Sequence, residues 1–212
     1  MPAVDFKLYL IGDRNQTADR PLSHIIREAG EAGISAVQFR EKDLSLRHQL
    51  QLASEITAVT KRLGMKLLIN DRIDLCLALG AEGVHLSSSG FPVGVARNLL
   101  GAEKWIGVSC HSLEEVHRAE GEGADFAVLG PVYETPSKRR YGAPLGLDYF
   151  KGVREATSLP LFAIGGVSQG RLKEVFEAGA DGVAMISTLV SAKDVFRMSR
   201  ALLDEIHRLT SV

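Results

Sequence analysis

Three residues at alternate positions, Gln38, Arg40 and Lys42, follow a short apolar run in the segment VQFREK. Side chains alternate across an extended chain, so this spacing sets an amide and two cations on one side and leaves Phe39 and Glu41 on the other. A planar guanidinium beside a point-charge ammonium suits phosphate or diphosphate oxygens. Taken alone, the same residues would equally make an exposed charged turn. A second anion-binding device follows later: Gly165-Gly166 ahead of Ser168, then Ser187-Thr188, each placing backbone N–H groups where a phosphate can approach. His111 follows the apolar run Trp105 to Ser109, and histidine serves chemical and structural roles alike. The structural alternative for His111 is a hydrogen-bonded residue just ahead of a helix starting at Ser112. Cys110 is its neighbour, but adjacent residues on a strand face opposite ways, so a thiolate–imidazole couple is not expected and Cys110 is assigned to packing.

These residues need a scaffold that brings distant segments to one rim. A recurring phrase supplies it: a helix-like stretch ends at Gly and an apolar run follows, at Gly33 to Phe39, Gly80 to Leu86, Gly123 to Gly130 and Gly179 to Ile186. Further apolar runs lie between them at Phe6 to Gly12, Lys66 to Asn70, Trp105 to Ser109 and Pro160 to Gly166. Their continuous hydrophobicity suits parallel strands covered on both faces. Amphipathic stretches such as Leu46 to Leu63, Ser112 to Gly123 and Arg171 to Ala180 alternate with them. Eight such units in 212 residues average about 26 residues each, the compact end of an α/β (β/α)8 TIM barrel. The competing open, doubly wound sheet normally carries GxGxxG after its first strand, and Gly12 is followed instead by Asp13, Arg14 and Asn15. No linker divides residues 1–212, which are expected to form a single domain. Pro131 to Leu145 reads as one long loop over the active-site face, with Arg139, Arg140 and Tyr141 riding on it.

Composition narrows the partners. Twenty-five Lys and Arg against 26 Asp and Glu leave a net charge of -1, no overall field for a nucleic acid or an anionic membrane. Two cysteines, Cys76 and Cys110, are too few for a disulfide framework and lack zinc-ligand spacing. A reducing, cytoplasmic setting is expected, with no signal peptide in MPAVDFKLYLIGDRN and no membrane span. The 45% apolar content is compatible with a homodimer.

With these residues assembled, the chain resembles the superfamily of thiamine phosphate synthase and thiazole tautomerase (TenI). The resemblance runs through VQFREKDLS at Val37 to Ser45, LLINDRIDLCLALGAEGVHL at Leu67 to Leu86, IGVSCHSLEEV at Ile106 to Val116, LGPVYETPSKRRYGAPLGL at Leu129 to Leu147, and the AIGGV and GADGVAMIS segments. It implies a TIM barrel acting on a small phosphorylated thiazole. In the synthase, residues matching Gln38, Arg40, Lys42, Asn70 and Lys138 hold a diphosphate. Those matching Thr135, Ser137, Gly166 and Ser187 serve the thiazole and its phosphate; Gly165 and Ile186 are expected beside them as substrate-binding residues. The residue matching Ser109 lies near a pyrimidine, and the one matching Asp71 is a magnesium ligand.

One departure shifts the expectation. Synthases of this superfamily typically read HLGQxD, with a second magnesium carboxylate at the end, and this chain reads His85-Leu86-Ser87-Ser88-Ser89-Gly90. Magnesium prefers hard oxygen ligands, so losing one carboxylate weakens the site. Tautomerase-like members commonly lack this carboxylate and place an acid/base His at the position matching His111, where an imidazole near neutrality both accepts and returns a proton. The leading expectation is therefore a TenI-like thiazole tautomerase, with no cofactor and His111 moving the proton. The alternative is a synthase that joins hydroxymethylpyrimidine diphosphate to thiazole phosphate with Mg2+ on Asp71. A third reading is a non-catalytic binder of thiazole or thiamine phosphate. His85 could line the pocket, and Asp71 could instead cap the helix that follows it.

Overall fold

The computed structural model describes residues 3–135 and 143–211. Eight short parallel strands close into a barrel: β1 (Leu8–Gly12), β2 (Ala36–Phe39), β3 (Lys66–Asn70), β4 (Gly83–Leu86), β5 (Trp105–Cys110), β6 (Phe126–Leu129), β7 (Leu161–Ile164) and β8 (Gly182–Met185). Each pairs with its sequence neighbour, and β1 pairs with β8 through Leu8 and Val183 to complete the ring. The helices outside it are α1 (Leu22–Glu31), α2 (Leu46–Leu63), α3 (Ile73–Leu79), α4 (Val93–Leu100), α5 (Leu113–Gly121), α6 (Leu147–Glu155), α7 (Leu172–Glu177), α8 (Ser187–Val190) and α9 (Val195–Thr210). This is the (β/α)8 barrel expected from the alternation of apolar runs.

The Gly-then-strand phrase works as its chemistry requires. Gly33, Gly80, Gly123 and Gly179 all have positive φ, between 63° and 107°, where a side chain would be strained. Helix starts are set by short polar residues: Ser112 Oγ accepts from the Glu115 N–H at 3.2 Å, and Asp194 accepts from the Arg197 N–H at 2.8 Å.

Two apolar layers result. Outward-facing strand residues such as Val37, Ile69, Val84 and Leu129 pack under the helices with Ile25, Ile56, Val116 and Leu202. Inward-facing residues make a second cluster inside the barrel. Its lower half is an aromatic plug. The Phe6 ring, just before β1, lies 5.3–5.6 Å from the rings of Tyr9, Trp105, Phe126 and Phe162. Glycines on neighbouring strands make the room: a Cβ at Gly107 would come within 2.3 Å of Phe126, and one at Gly182 within 2.4 Å of Phe162. Close packing of this kind closes the N-terminal end of the barrel and leaves open the end where the strands terminate.

Candidate active site

Among the described residues the C-terminal rim surrounds a cavity of about 900 Å³. Every described residue expected from the sequence to bind substrate faces it: Gln38, Arg40, Lys42, Asn70, Ser109, Thr135, Gly165, Gly166, Ile186 and Ser187, together with His111. Ser137 and Lys138, and Arg139, Arg140 and Tyr141 on the same loop, lie outside the described residues. Strand-end logic also leads to one residue the sequence reading passed over. Gln16, in a 3-10 turn after β1, lines the cavity and donates to Asp13 at 2.9 Å. The signal was available, since Asp13, Arg14 and Asn15 end β1 as REK ends β2.

Those two strand ends are latched together. The Glu41 side chain is fully buried. It accepts from the Arg14 N–H at 2.8 Å, and the Arg14 Nε lies 3.2 Å from its other oxygen. Burial pushes the Glu41 carboxyl up to about 7, against the lowering effect of the Arg14 backbone donor and guanidinium. Arg40 reaches the Asp13 carboxylate at 3.5 Å. Its guanidinium is one-third exposed and remains at the cavity wall.

Beside this cation pair, β3 ends in Asn70 and Asp71. Asp71 has φ +56°, a left-handed conformation that a non-glycine residue adopts at a cost and that commonly marks a working site. Its carboxylate is held on both sides: Oδ1 accepts from the Ser87 N–H at 2.6 Å and Oδ2 from the Asn70 amide at 2.8 Å. The helix-cap role weighed from the sequence is not what forms. Arg72 stands at the start of α3 without a side-chain cap, because the Asp71 carboxylate has turned to the β4 loop instead. Gly90 packs directly on it, and a Cβ there would sit 2.5 Å from Asp71 Oδ1. A smaller space of about 610 Å³ lies on this side, lined by Asp71, Asn70, Lys42, Ser87, Ser89 and Gly90 among others.

Across the closed ring, four strands from β3, Gly165 and Gly166 end β7 with φ of 93° and 67°. A Cβ at Gly165 would lie 2.5 Å from Pro131, and one at Gly166 would lie 2.7 Å from Tyr133, so only glycine lets the two chains approach. Ser187 opens α8 next to them.

His111 sits at the end of β5. Its backbone N–H donates to Glu115 at 2.7 Å, and its ring Nδ1 lies 2.5 Å from the Gly130 carbonyl. A carbonyl only accepts, so Nδ1 carries a proton, and in the neutral form of the ring the lone pair is on Nε2. Cys110, its neighbour, is buried; its thiol is pushed up to about 12 chiefly by burial, so it is a packing residue as expected. His85 departs from expectation. It is 2% exposed inside the barrel beneath the cavity and does not line it.

A family model described as thiamine monophosphate synthase matches residues 8–189 of this chain. The chain belongs to that family. Its relatives include a thiamine-phosphate synthase of Chloroflexus aurantiacus, 40% identical over 199 residues, covering 94% of this chain and 92% of the relative. Another, from Syntrophomonas wolfei, is 41% identical over 198 residues, covering 93% and 95%. Among solved structures, the thiamine phosphate pyrophosphorylase of Pyrococcus furiosus superposes with a TM-score of 0.87 at 32% identity, over 97% of both chains. The chain is thus an enzyme of thiamine biosynthesis. The names of these relatives favour the synthase over the tautomerase, which reverses the order expected from Gly90 alone. No helix among the described residues is long and apolar enough to cross a membrane.

Proposed function

We propose that the protein is a thiamine-phosphate synthase, joining hydroxymethylpyrimidine diphosphate to thiazole phosphate and releasing diphosphate. The observation that carries this reading is one cavity with two anion-binding poles. Arg40, Lys42 and Asn70 stand at the ends of β2 and β3, and the Gly165-Gly166 turn with Ser187 stands at the ends of β7 and β8. A reaction between a diphosphate and a monophosphate needs two such poles facing a common space. The C–O bond of the pyrimidine CH2–O–P group breaks with its electron pair leaving on diphosphate, and the thiazole nitrogen lone pair forms the new C–N bond. No proton moves in either event, so the cations do the work by stabilising the charge that develops on the leaving group. Holding both reactants in one cavity supplies the rest.

Magnesium belongs to this reading. Among the described residues no three His, Cys, Asp or Glu side chains cluster as a metal cage. The donors near Asp71 are the Asn70 amide and the Ser87 and Ser89 hydroxyls, hard oxygens that fit a magnesium arriving with substrate phosphates. Asp71 with Asn70 would hold it, and when bound it neutralises charge on the diphosphate.

The tautomerase is the second reading, and the His111 ring supports it. The Nδ1–H bond to Gly130 leaves Nε2 free to take up a proton at the cavity wall. The deciding experiment measures thiamine phosphate formation from the two reactants while magnesium is titrated. Magnesium-dependent product supports the synthase. Absence of product, with isomerisation of thiazole carboxylate phosphate, would establish the tautomerase instead, and turnover of neither would leave a binding protein.

A further inference from the structure

Beneath the cavity floor, His85 projects inward from β4, 2% exposed, its ring 5.7 Å from that of Tyr9 and 5.9 Å from that of Phe126. In the β4–β5 register His85 lies opposite Gly107, and Ser109 is two residues further on, on the same face. The His85 Nε2 is 2.9 Å from Ser109 Oγ. Its Nδ1 is buried without a hydrogen-bond partner and packs on Gly107, where a Cβ would come within 2.7 Å of it.

The two nitrogens are therefore not equivalent. A ring enclosed by aromatic neighbours, with one nitrogen buried against carbon, carries a single N–H, because a second would be a buried charged donor with nothing to bond. If that proton were on Nδ1 it would be a buried donor with nothing to bond, an arrangement folded proteins rarely tolerate. On Nε2 it donates to Ser109, and the bare Nδ1 lone pair faces the Gly107 methylene. The Ser109 oxygen then accepts from below, and its own proton is left to be given upward, into the cavity that Ser109 lines.

We propose that His85 is a positioning residue: by donating from Nε2 to Ser109 it commits the Ser109 hydroxyl to donate to a lone-pair acceptor on the bound reactant. That acceptor is an unprotonated ring nitrogen or a phosphate oxygen. The inference rests on the reading of this cavity as the reactant site, but not on which reaction runs there.

The first test is nitrogen-15 NMR of the histidine rings in the wild-type protein. The expected pattern for His85 is a protonated Nε2 and a bare Nδ1; a protonated Nδ1, or a ring protonated on both nitrogens, overturns the proposal. The second is calorimetric binding of inorganic diphosphate and, separately, of hydroxymethylpyrimidine to Ser109→Ala, His85→Leu and His85→Gln, each checked for native fold by circular dichroism. A lost hydrogen bond of ordinary net strength corresponds to about a tenfold loss of affinity. Ser109→Ala and His85→Leu should each show it for the same probe. His85→Gln, whose amide N–H stands in for Nε2–H, should recover most of the affinity. Loss confined to diphosphate assigns a phosphate oxygen, and loss confined to the pyrimidine assigns a ring nitrogen. Unchanged binding of both probes in His85→Leu, or in Ser109→Ala, sinks the idea. Because no readout needs turnover, a protein that binds in this way but makes no thiamine phosphate would refute the synthase and leave His85 in its role.

Discussion

At the scale of single residues, His111 separates the two reactions most sharply. Carbocation capture by the thiazole nitrogen moves no proton, whereas isomerisation does, and a positioned acid/base contributes about 10²–10⁴-fold. His111→Asn should therefore keep thiamine phosphate formation within roughly tenfold of wild type. A drop of more than a hundredfold in kcat would mean that the imidazole moves a proton after all. Glu41 gives a pH prediction. Its folded carboxyl titrates at about 7, above its ordinary 4.5, so the folded state binds the proton more tightly than the unfolded chain does. Its contribution to stability is full below about 4.5 and is lost as pH rises through about 7. Urea unfolding of wild type and Glu41→Gln across pH 4–8 should show the wild type losing ground to the variant as pH rises; an opposite slope would show that the Arg14 contact outweighs burial. The alternation rule had already put Glu41 opposite Arg40 and Lys42. That its partner would be Arg14 was not legible, because no local pattern joins residues 27 positions apart.

At the scale of elements, the rim is assembled by bonds between consecutive loops, and the Asp71 clasp on the β4 loop is the plainest case. A side chain at position 90 must enter the space that the Asp71 carboxylate fills. Gly90→Asp should thus lower stability without metal by about 1–3 kcal/mol through crowding and like charge. Magnesium should then stabilise the variant more than the wild type, because two carboxylates make a better site than one. Thermal melts of both proteins with and without magnesium read this directly, and equal magnesium shifts would argue that Asp71 is a structural clasp alone. Sequence reading found Gly90 as a departure and left Asp71 between ligand and helix cap. It could not choose, since the choice turns on a left-handed φ at Asp71 that nothing in IND announces. Strand and helix existence was far more legible. Leu46–Leu63 and Lys66–Asn70 have the bounds read from the chain, because a capping Ser45, the glycine at 64 and the apolar periods agree.

For the whole molecule, closure of eight strands was legible from the count of repeats, and the floor of the barrel was not. Phe6, Tyr9, Trp105, Phe126 and Phe162 come from five separate segments, and each alone looks like an ordinary strand hydrophobe. Ligand binding should couple to global stability, since a ligand at 100 times its Kd adds about 2.7 kcal/mol, equivalent to roughly 5–10 °C for a chain of this size. Saturating diphosphate with magnesium should raise Tm by that much, and Arg40→Ala should abolish most of the shift; an unchanged shift would move the diphosphate away from that pole. The aromatic plug has a consequence for traffic. A vessel sealed at the bottom admits and discharges everything through one mouth. Reactants, products and displaced water all cross the same ring of strand ends, so the packing of rings at the far end of the barrel decides where traffic passes without touching any of it.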